Sequence, residues 1–403
     1  MKKINKKQNL DARDESNYTD GLLSESYEEF SDMNIRRDLI RGIFKYGFVK
    51  PSEIQKRGIM PLVYGKDMIA QAQSGTGKTA TFVIGTLHNV NDKLHKVQIM
   101  ITVPTRELAY QIQLVVRAIG KYMKIIVQSF IGGTYIKNDL FKFIKKVPHI
   151  VVGTPGRLID VMSISNQISN NLVYLIIDEA DEMFSQGFKI QIYKIFKFLP
   201  YHCSIALFSA TLPKDILRVI ALFIEKPVKI LIKKEELTLE GIKQFYIPVD
   251  KEEWKIEALY DIYKSIPVEQ SIIYVNTTKR AEWLGNAMKQ ADFPIGYLHG
   301  DMEQSNRTAI LKNFRSGKFR FLIATDLLSR GIDIKKVNFV LNFDLPSIKE
   351  NYIHRIGRSG RFGKKGIAIN FLTRQDINIL REIESYYNTT IELLPKDLSN
   401  FDF

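Results

Sequence analysis

The sequence predicts two α/β domains, each a mostly parallel β-sheet with helices on both faces, joined by a short tether. Three observations lead there. Strand-length apolar runs alternate with helix-length amphipathic segments, and this alternation occurs twice along the chain. The runs are continuously apolar more than alternating, as strands covered on both faces must be. Between the two series lies a charged stretch, KKEELTLEG at 233–241, with no apolar stripe and a glycine at its end. With 403 residues, the chain has room for two or three domains.

The elements follow in order. Residues 1–25 are polar and charged, and are expected to be a flexible leader, since ordering them would bury little apolar area. The first domain, 26–232, carries the runs DMIAQA, IMITV at 99–103, IIVQSF at 125–130, HIVVG at 149–153, VYLIID at 173–178, SIALFS at 204–209 and VKILI at 228–232. Helix-length segments between them call for right-handed crossovers. Residues 233–241 are the tether. The second domain, 242–403, carries QFYIPV at 244–249, SIIYVN at 271–276, FRFLIAT at 319–325, FVLNF at 339–343 and GIAINFL at 366–372. Trp254 and Trp283 lie in its helical apolar patterns and are expected to pack its core.

Composition narrows the function. Lys plus Arg is 58 against 44 for Asp plus Glu, a net charge of +14 that suits a polyanionic partner without proving one. A single cysteine, Cys203, excludes an internal disulfide. No apolar run approaches the length of a membrane span, and the N-terminal lysines precede no apolar stretch, so neither a span nor a secretory signal is expected. The six histidines show no metal-ligand spacing, and His299 reads as structural.

The segment AQSGTGKT at 72–79 follows an apolar strand and opens a helix. This is the order of a phosphate loop, although Ala72 holds its first position. Ser74, Gly75, Thr76 and Gly77 let backbone N–H groups curl around phosphate oxygens; Lys78 would reach the terminal phosphates and Thr79 would offer a hydroxyl to Mg²⁺. DEAD at 178–181 ends the run VYLIID: Asp178 is placed to hold Mg²⁺ and Glu179 to orient and deprotonate an attacking water. Ser209 and Thr211 of SAT end another strand and, with Asp181 and His354, are candidates for coupling the domains. In HRIGRSGR, Arg355, Arg358 and Arg361 are spaced by three and suit a γ-phosphate across a cleft.

A second set of strand ends offers phosphate-binding chemistry. Arg106 in PTRELA, Thr154 and Arg157 in TPGR, Gly132 and Gly133, Gln304 and Arg307, and Thr325 with Asp333 in TDLLSRGID supply hydroxyls, guanidinium groups and close backbone approach. Recognition through phosphate and sugar would be sequence-independent and salt-sensitive.

Together these motifs, in this order from about Tyr27 to the C-terminus, resemble the DEAD-box RNA helicase family. That resemblance implies two RecA-like domains, ATP and Mg²⁺ as cofactors, and single-stranded RNA and short RNA duplexes as partners. It adds an adenine site in which Phe30 stacks on the base and Gln55 reads its edges, a ribose contact at Asp333, and Arg358 with Arg361 as finger arginines. The tether and the segments after it resemble short family members of translation initiation. This implies a monomeric cytoplasmic helicase working with a helical-repeat scaffold and small RNA-binding cofactors. A nuclear RNA clamp of the exon-junction type, or a ribosomal-RNA-processing helicase, is the alternative.

Overall fold

In the computed structural model, the described residues are 27–73, 75–133, 135–184, 187–231, 241–266, 268–326, 334, 336–359 and 366–395. The leader expected at 1–25, and all of the expected tether except Gly241, fall outside them.

The first lobe holds a seven-stranded sheet in the order β3-β4-β2-β5-β6-β1-β7, with every pairing parallel. Its strands are β1 (Met68–Gln71), β2 (Ile99–Thr102), β3 (Val127–Phe130), β4 (Ile150–Gly153), β5 (Tyr174–Ile177), β6 (Ser204–Ser209) and β7 (Val228–Leu231). Its helices are α1 (Arg37–Tyr46), α2 (Glu53–Val63), α3 (Lys78–His88), α4 (Arg106–Ile119), α5 (Ile136–Lys145), α6 (Pro155–Ile164), α7 (Ala180–Met183), α8 (Lys189–Phe198) and α9 (Lys214–Ile220).

The second lobe repeats the plan in the order β10-β11-β9-β12-β13-β8-β14, again parallel throughout. Its strands are β8 (Ile242–Pro248), β9 (Gln270–Tyr274), β10 (Ile295–Leu298), β11 (Phe321–Ala324), β12 (Val337–Asn342), β13 (Gly366–Leu372) and β14 (Glu392–Leu393). Its helices are α10 (Lys255–Ser265), α11 (Thr278–Gln290), α12 (Gln304–Arg315), α13 (Glu350–Ile356) and α14 (Ile377–Tyr387).

The continuously apolar runs are strands because both faces of each sheet are covered. In β2, Ile99 and Ile101 enter one core cluster while Met100 enters the other, and in β5 Tyr174 and Ile176 part from Leu175 and Ile177 in the same way. Helix starts are fixed locally. Ser52 and Gln55 form a reciprocal capping box at α2. The hydroxyl of Thr105 accepts the Leu108 N–H at α4 (3.2 Å), and Thr277 accepts that of Arg280 at α11 (3.2 Å). In a parallel sheet all strand C-termini share one edge. The loops after β1, β2, β3, β4, β5 and β6 therefore meet at one rim of the first lobe, facing loops from the second.

Two expectations need correction. Trp254 and Trp283 are not core residues; they are 45% and 49% exposed. Their rings are covered by cations instead: Lys251 Nζ lies 5.3 Å from the Trp254 ring, and the Arg280 guanidinium lies 6.0 Å from Trp283 and 5.1 Å from Phe343. The sequence reading also missed two strands, β10 and β14. His299 is structural as expected: it is buried, stacks on Tyr297 and sits 3.1 Å from Glu282.

Candidate functional site

After β1 the chain turns through Gly75 and Gly77, at φ +89° and +103°, a region costly for any residue with a Cβ. A Cβ on Gly77 would lie 2.5 Å from Gln55 Nε2 and 3.1 Å from Ser52 Oγ. The start of α2 is thus packed onto the loop, and Ser52 Oγ donates to the Thr76 carbonyl at 2.7 Å. Lys78 opens α3 with its Nζ buried and without a hydrogen-bond partner among the described residues. A buried ammonium at a helix N-terminus, where the dipole is already positive, is costly unless an anion joins it. That is the fit expected for a nucleotide phosphate. Thr79, the next residue, is half-buried, and Ser74 lies outside the described residues.

Asp178 and Glu179 follow β5, both almost fully buried. Glu179 takes the left-handed conformation (φ +51°, ψ +52°), which is strained for a side chain of this size. Its N–H donates to Asp178 Oδ1 at 2.9 Å. Burial, and then the neighbouring Glu179 charge, push the Asp178 carboxyl well above the usual range, with Lys78 opposing. A divalent cation beside it would restore its charge, so Asp178 with Thr79 suits Mg²⁺.

Asp181 joins the lobes. Ser209 Oγ lies 2.7 Å from Asp181 Oδ1, Thr211 Oγ1 donates to Oδ2 at 2.9 Å, and His354 Nε2 of the second lobe lies 3.0 Å from the same Oδ2. All four residues are buried. Glu179, Asp181 and His354 also bring ligand atoms within 4.8 Å of one another. The oxygens of Asp181 are already engaged by these donors, so hydrogen bonding accounts for the group.

Arg358, 2% exposed, donates Nε to the His354 carbonyl at 3.1 Å; Arg361 lies outside the described residues. Arg355 does not act across the cleft as its spacing had implied. It is fully buried within its own lobe. There it binds both oxygens of Asp326, the Asn276 and Asn342 side chains and the Asp344 carbonyl, with its guanidinium over the Tyr274 ring.

On the other side of the cleft, α4 meets α12. Arg106 Nη1 donates to Gln304 Oε1 (3.2 Å), Gln304 Nε2 to Glu107 Oε1 (3.1 Å) and Arg307 Nη2 to Glu107 Oε2 (2.7 Å). Gln304 and Arg307, expected at RNA, thus bind the first lobe through Glu107, which the sequence reading passed over. The same reading missed Asp139, which pairs with Arg157. In the sequence Glu107 directly follows Arg106, the one signal available for it, whereas Asp139 stands 18 residues from Arg157 with nothing local to mark the pairing.

Gly132 and Gly133 lie under the Arg106 guanidinium; a Cβ on Gly133 would meet Nη1 at 2.5 Å. Thr154 begins α6, and Thr325 is buried at the end of β11. Asp333 lies outside the described residues. Phe30 is fully buried beside Phe48 in the core, so this arrangement leaves no open ring face for a base. Gln55 is 2% exposed, and its Oε1 accepts the Ser52 N–H at 2.9 Å.

Comparison with known proteins agrees with this geometry. A family model described as DEAD/DEAH box helicase matches residues 52–219, and one described as helicase conserved C-terminal domain matches 254–363. The chain is 50% identical to the ATP-dependent RNA helicase eIF4A of Neurospora crassa over 96% of each. Among solved structures it is similar to S. cerevisiae Dbp5 bound to RNA and ADP BeF3, at TM-score 0.87 and 34% identity, covering 92% of this chain and 96% of that one. It is also similar to Mss116p bound to single-stranded RNA and AMP-PNP, at TM-score 0.84 and 30% identity, covering 93% and 81%.

Proposed function

Since the chain belongs to the DEAD/DEAH box helicase family, we propose that it is an ATP-dependent RNA helicase of the eIF4A type, acting in translation initiation. The observation that carries this reading is the closed cleft. One carboxylate, Asp181, accepts from Thr211 of the first lobe and bonds His354 of the second, three residues after Asp178, which feels the charge of the buried Lys78, a cation with no hydrogen-bond partner among the described residues. Such an arrangement couples nucleotide binding to domain closure.

In this reading the loop at Gly75–Thr79 and the ammonium of Lys78 hold the ATP phosphates, and Thr79 with Asp178 would hold Mg²⁺, whose charge would offset that of the phosphates. Glu179, fixed by its backbone, orients water and accepts its proton. Arg358 faces the phosphates only when the lobes are closed, and Arg361, outside the described residues, is proposed as the second finger arginine. Single-stranded RNA lies across the rim of strand ends, with Arg106, Gly132, Gly133, Thr154, Arg157 and Thr325 as phosphate and sugar contacts. Closure on one strand displaces its complement locally, and hydrolysis lets the lobes part. No described helix is long and apolar enough to cross a membrane. The cytoplasm, a helical-repeat scaffold and small RNA-binding cofactors belong to the same proposal.

The test is steady-state ATP hydrolysis with and without single-stranded RNA, with DNA of equal length as control. Stimulation by RNA alone, lost at least ~100-fold in Glu179→Gln, is the expected result. ATP-dependent RNA binding without stimulated turnover would sink the autonomous helicase and leave a partner-controlled clamp.

A further inference from the structure

Outside the cleft, the free edge of the first sheet carries a built feature. β3 is the edge strand, and α4 and α5 pack into the core clusters on opposite faces of the sheet. Between them runs a groove of about 430 Å³ floored by residues 126–129. One wall is a single stripe of α4, Tyr110, Gln113 and Arg117; the other is Asp139, Lys142 and Lys146 along α5 and its C-cap. Both follow the i, i+3, i+7 spacing of one helix face.

The α4 wall of the groove leads back toward the cleft. The α4 stripe begins one turn earlier at Arg106, which bonds Gln304 of the other lobe. On the second wall Asp139 pairs with Arg157, so its charge is matched. What remains is cationic and aromatic: Arg117, Lys142 and Lys146 are exposed, Tyr110 is half-exposed, and Tyr135 just before α5 is 82% exposed. Cations interleaved with open aromatic faces are the composition of a single-strand path, cations tracking phosphates and rings stacking on bases. An added peptide strand fits less well, because the outward carbonyl of Val127 already accepts from Gln113 Nε2 at 3.2 Å and lies 3.5 Å from Arg117 Nη2.

We infer that this groove extends the RNA path: strand leaving the cleft lies along β3, with phosphates on Arg117, Lys142 and Lys146 and a base on Tyr110. The inference rests on the helicase reading and adds to it a second, salt-sensitive segment of the binding site.

The experiment compares binding of a short oligouridylate of about six residues with one of about fifteen. Both are measured with an ATP analogue across a fourfold salt range, in the full chain and in the triple variant R117A/K142A/K146A. For three phosphates on a single strand the salt slope steepens by about 2, so the wild type should lose roughly 20-fold more affinity for the long RNA than the variant does. The short RNA should bind both proteins alike.

Equal binding of short and long RNA by the wild type would overturn the groove while leaving the helicase intact. So would an equal loss of both in the variant. A wild type that binds neither RNA, with ATP binding retained, would overturn the helicase reading itself. Poly-L-glutamate is the remaining probe. If it binds through the same three cations while long RNA gains nothing, the groove serves an acidic protein segment and the RNA extension is wrong.

Discussion

The Glu107→Gln substitution probes lobe closure from the RNA side. In the closed cleft the Glu107 carboxylate accepts from Arg307 and from Gln304, and both Glu107 and Arg307 are buried. Burial, joined by the neighbouring Arg106 charge, holds the Arg307 pKa below its usual value against the opposing pull of Glu107, so the pair is a desolvated one. Removing the carboxylate charge then leaves a buried cation without its counter-ion, a loss of about 3 kcal/mol, the low end for breaking a buried pair. The pair exists only when the lobes meet, so this cost falls on closure and spares each lobe's own stability. Closure should weaken about 150-fold. The assay is the distance between dyes on the two lobes, read with RNA and an ATP analogue, alongside RNA affinity with and without nucleotide. RNA affinity should fall by up to that factor with nucleotide and hardly at all without it. The double variant E107L/R307M, which removes both charges, should recover most of the loss. A Glu107→Gln protein that closes within twofold of wild type, or loses RNA affinity equally without nucleotide, would refute the reasoning.

Three further outcomes are expected. Arg355→Met should destabilise the second lobe by about 3 kcal/mol, since it strands Asp326 and several buried acceptors, and should lower the denaturation midpoint of that lobe alone. His354→Leu removes the ring that meets Asp181 and should raise the ATP concentration needed for RNA-bound closure by about tenfold, whereas His354→Gln, which keeps a donor, should stay near wild type in the same dye-distance titration. His149 is buried, which depresses its pKa, and its Nδ1 accepts the Ile126 N–H at 2.9 Å. Because the folded value lies below the unfolded one, its contribution is full above about pH 6.5 and is lost as pH falls through the folded value. Melting temperature should therefore drop between pH 7.5 and 5, and less steeply in His149→Gln.

The parts of the molecule legible in sequence are those whose local pattern carries the whole constraint. A strand buried on both faces must read as an apolar run, and a phosphate loop must place glycines and lysine between strand and helix, so both were found. IGYL was passed over because a glycine and a tyrosine dilute the run. There the tight packing of Gly296 against Phe319 and Ile310 replaces side-chain bulk. Trp254 and Trp283 were misplaced because helical periodicity marks an apolar stripe without saying whether protein or a cation covers it. Glu107 and Asp139 were invisible for a different reason. A carboxylate among basic residues, Glu107 after Arg106 and Asp139 between Lys137 and Lys142, reads as part of a solvated surface, and its true partner, Arg307 for the one and Arg157 for the other, is fixed by tertiary structure.

The contacts of Asp181 with His354 and of Glu107 with Arg307 across the cleft explain why neither ligand alone need close it. On the nucleotide side Asp181 is held in place by Ser209 and Thr211 of its own lobe before His354 arrives, so closure adds one bond to a carboxylate that is already solvated by hydroxyls. On the RNA side Glu107 lies in the first turn of α4, where the helix dipole favours a negative charge whether or not Arg307 is present. Both acceptors are thus stable in the open state, and each contact gains little net free energy on closing while costing much if half of it is removed. Moving a two-state equilibrium from mostly open to mostly closed takes about 5.5 kcal/mol. Contacts built this way cannot supply that, so it must come from the ligands, phosphates on Lys78 at one side and RNA on the rim at the other. Each ligand then lowers the cost of binding the other by the same amount. A cleft held shut by strong contacts of its own would lose that dependence and could not release RNA after hydrolysis.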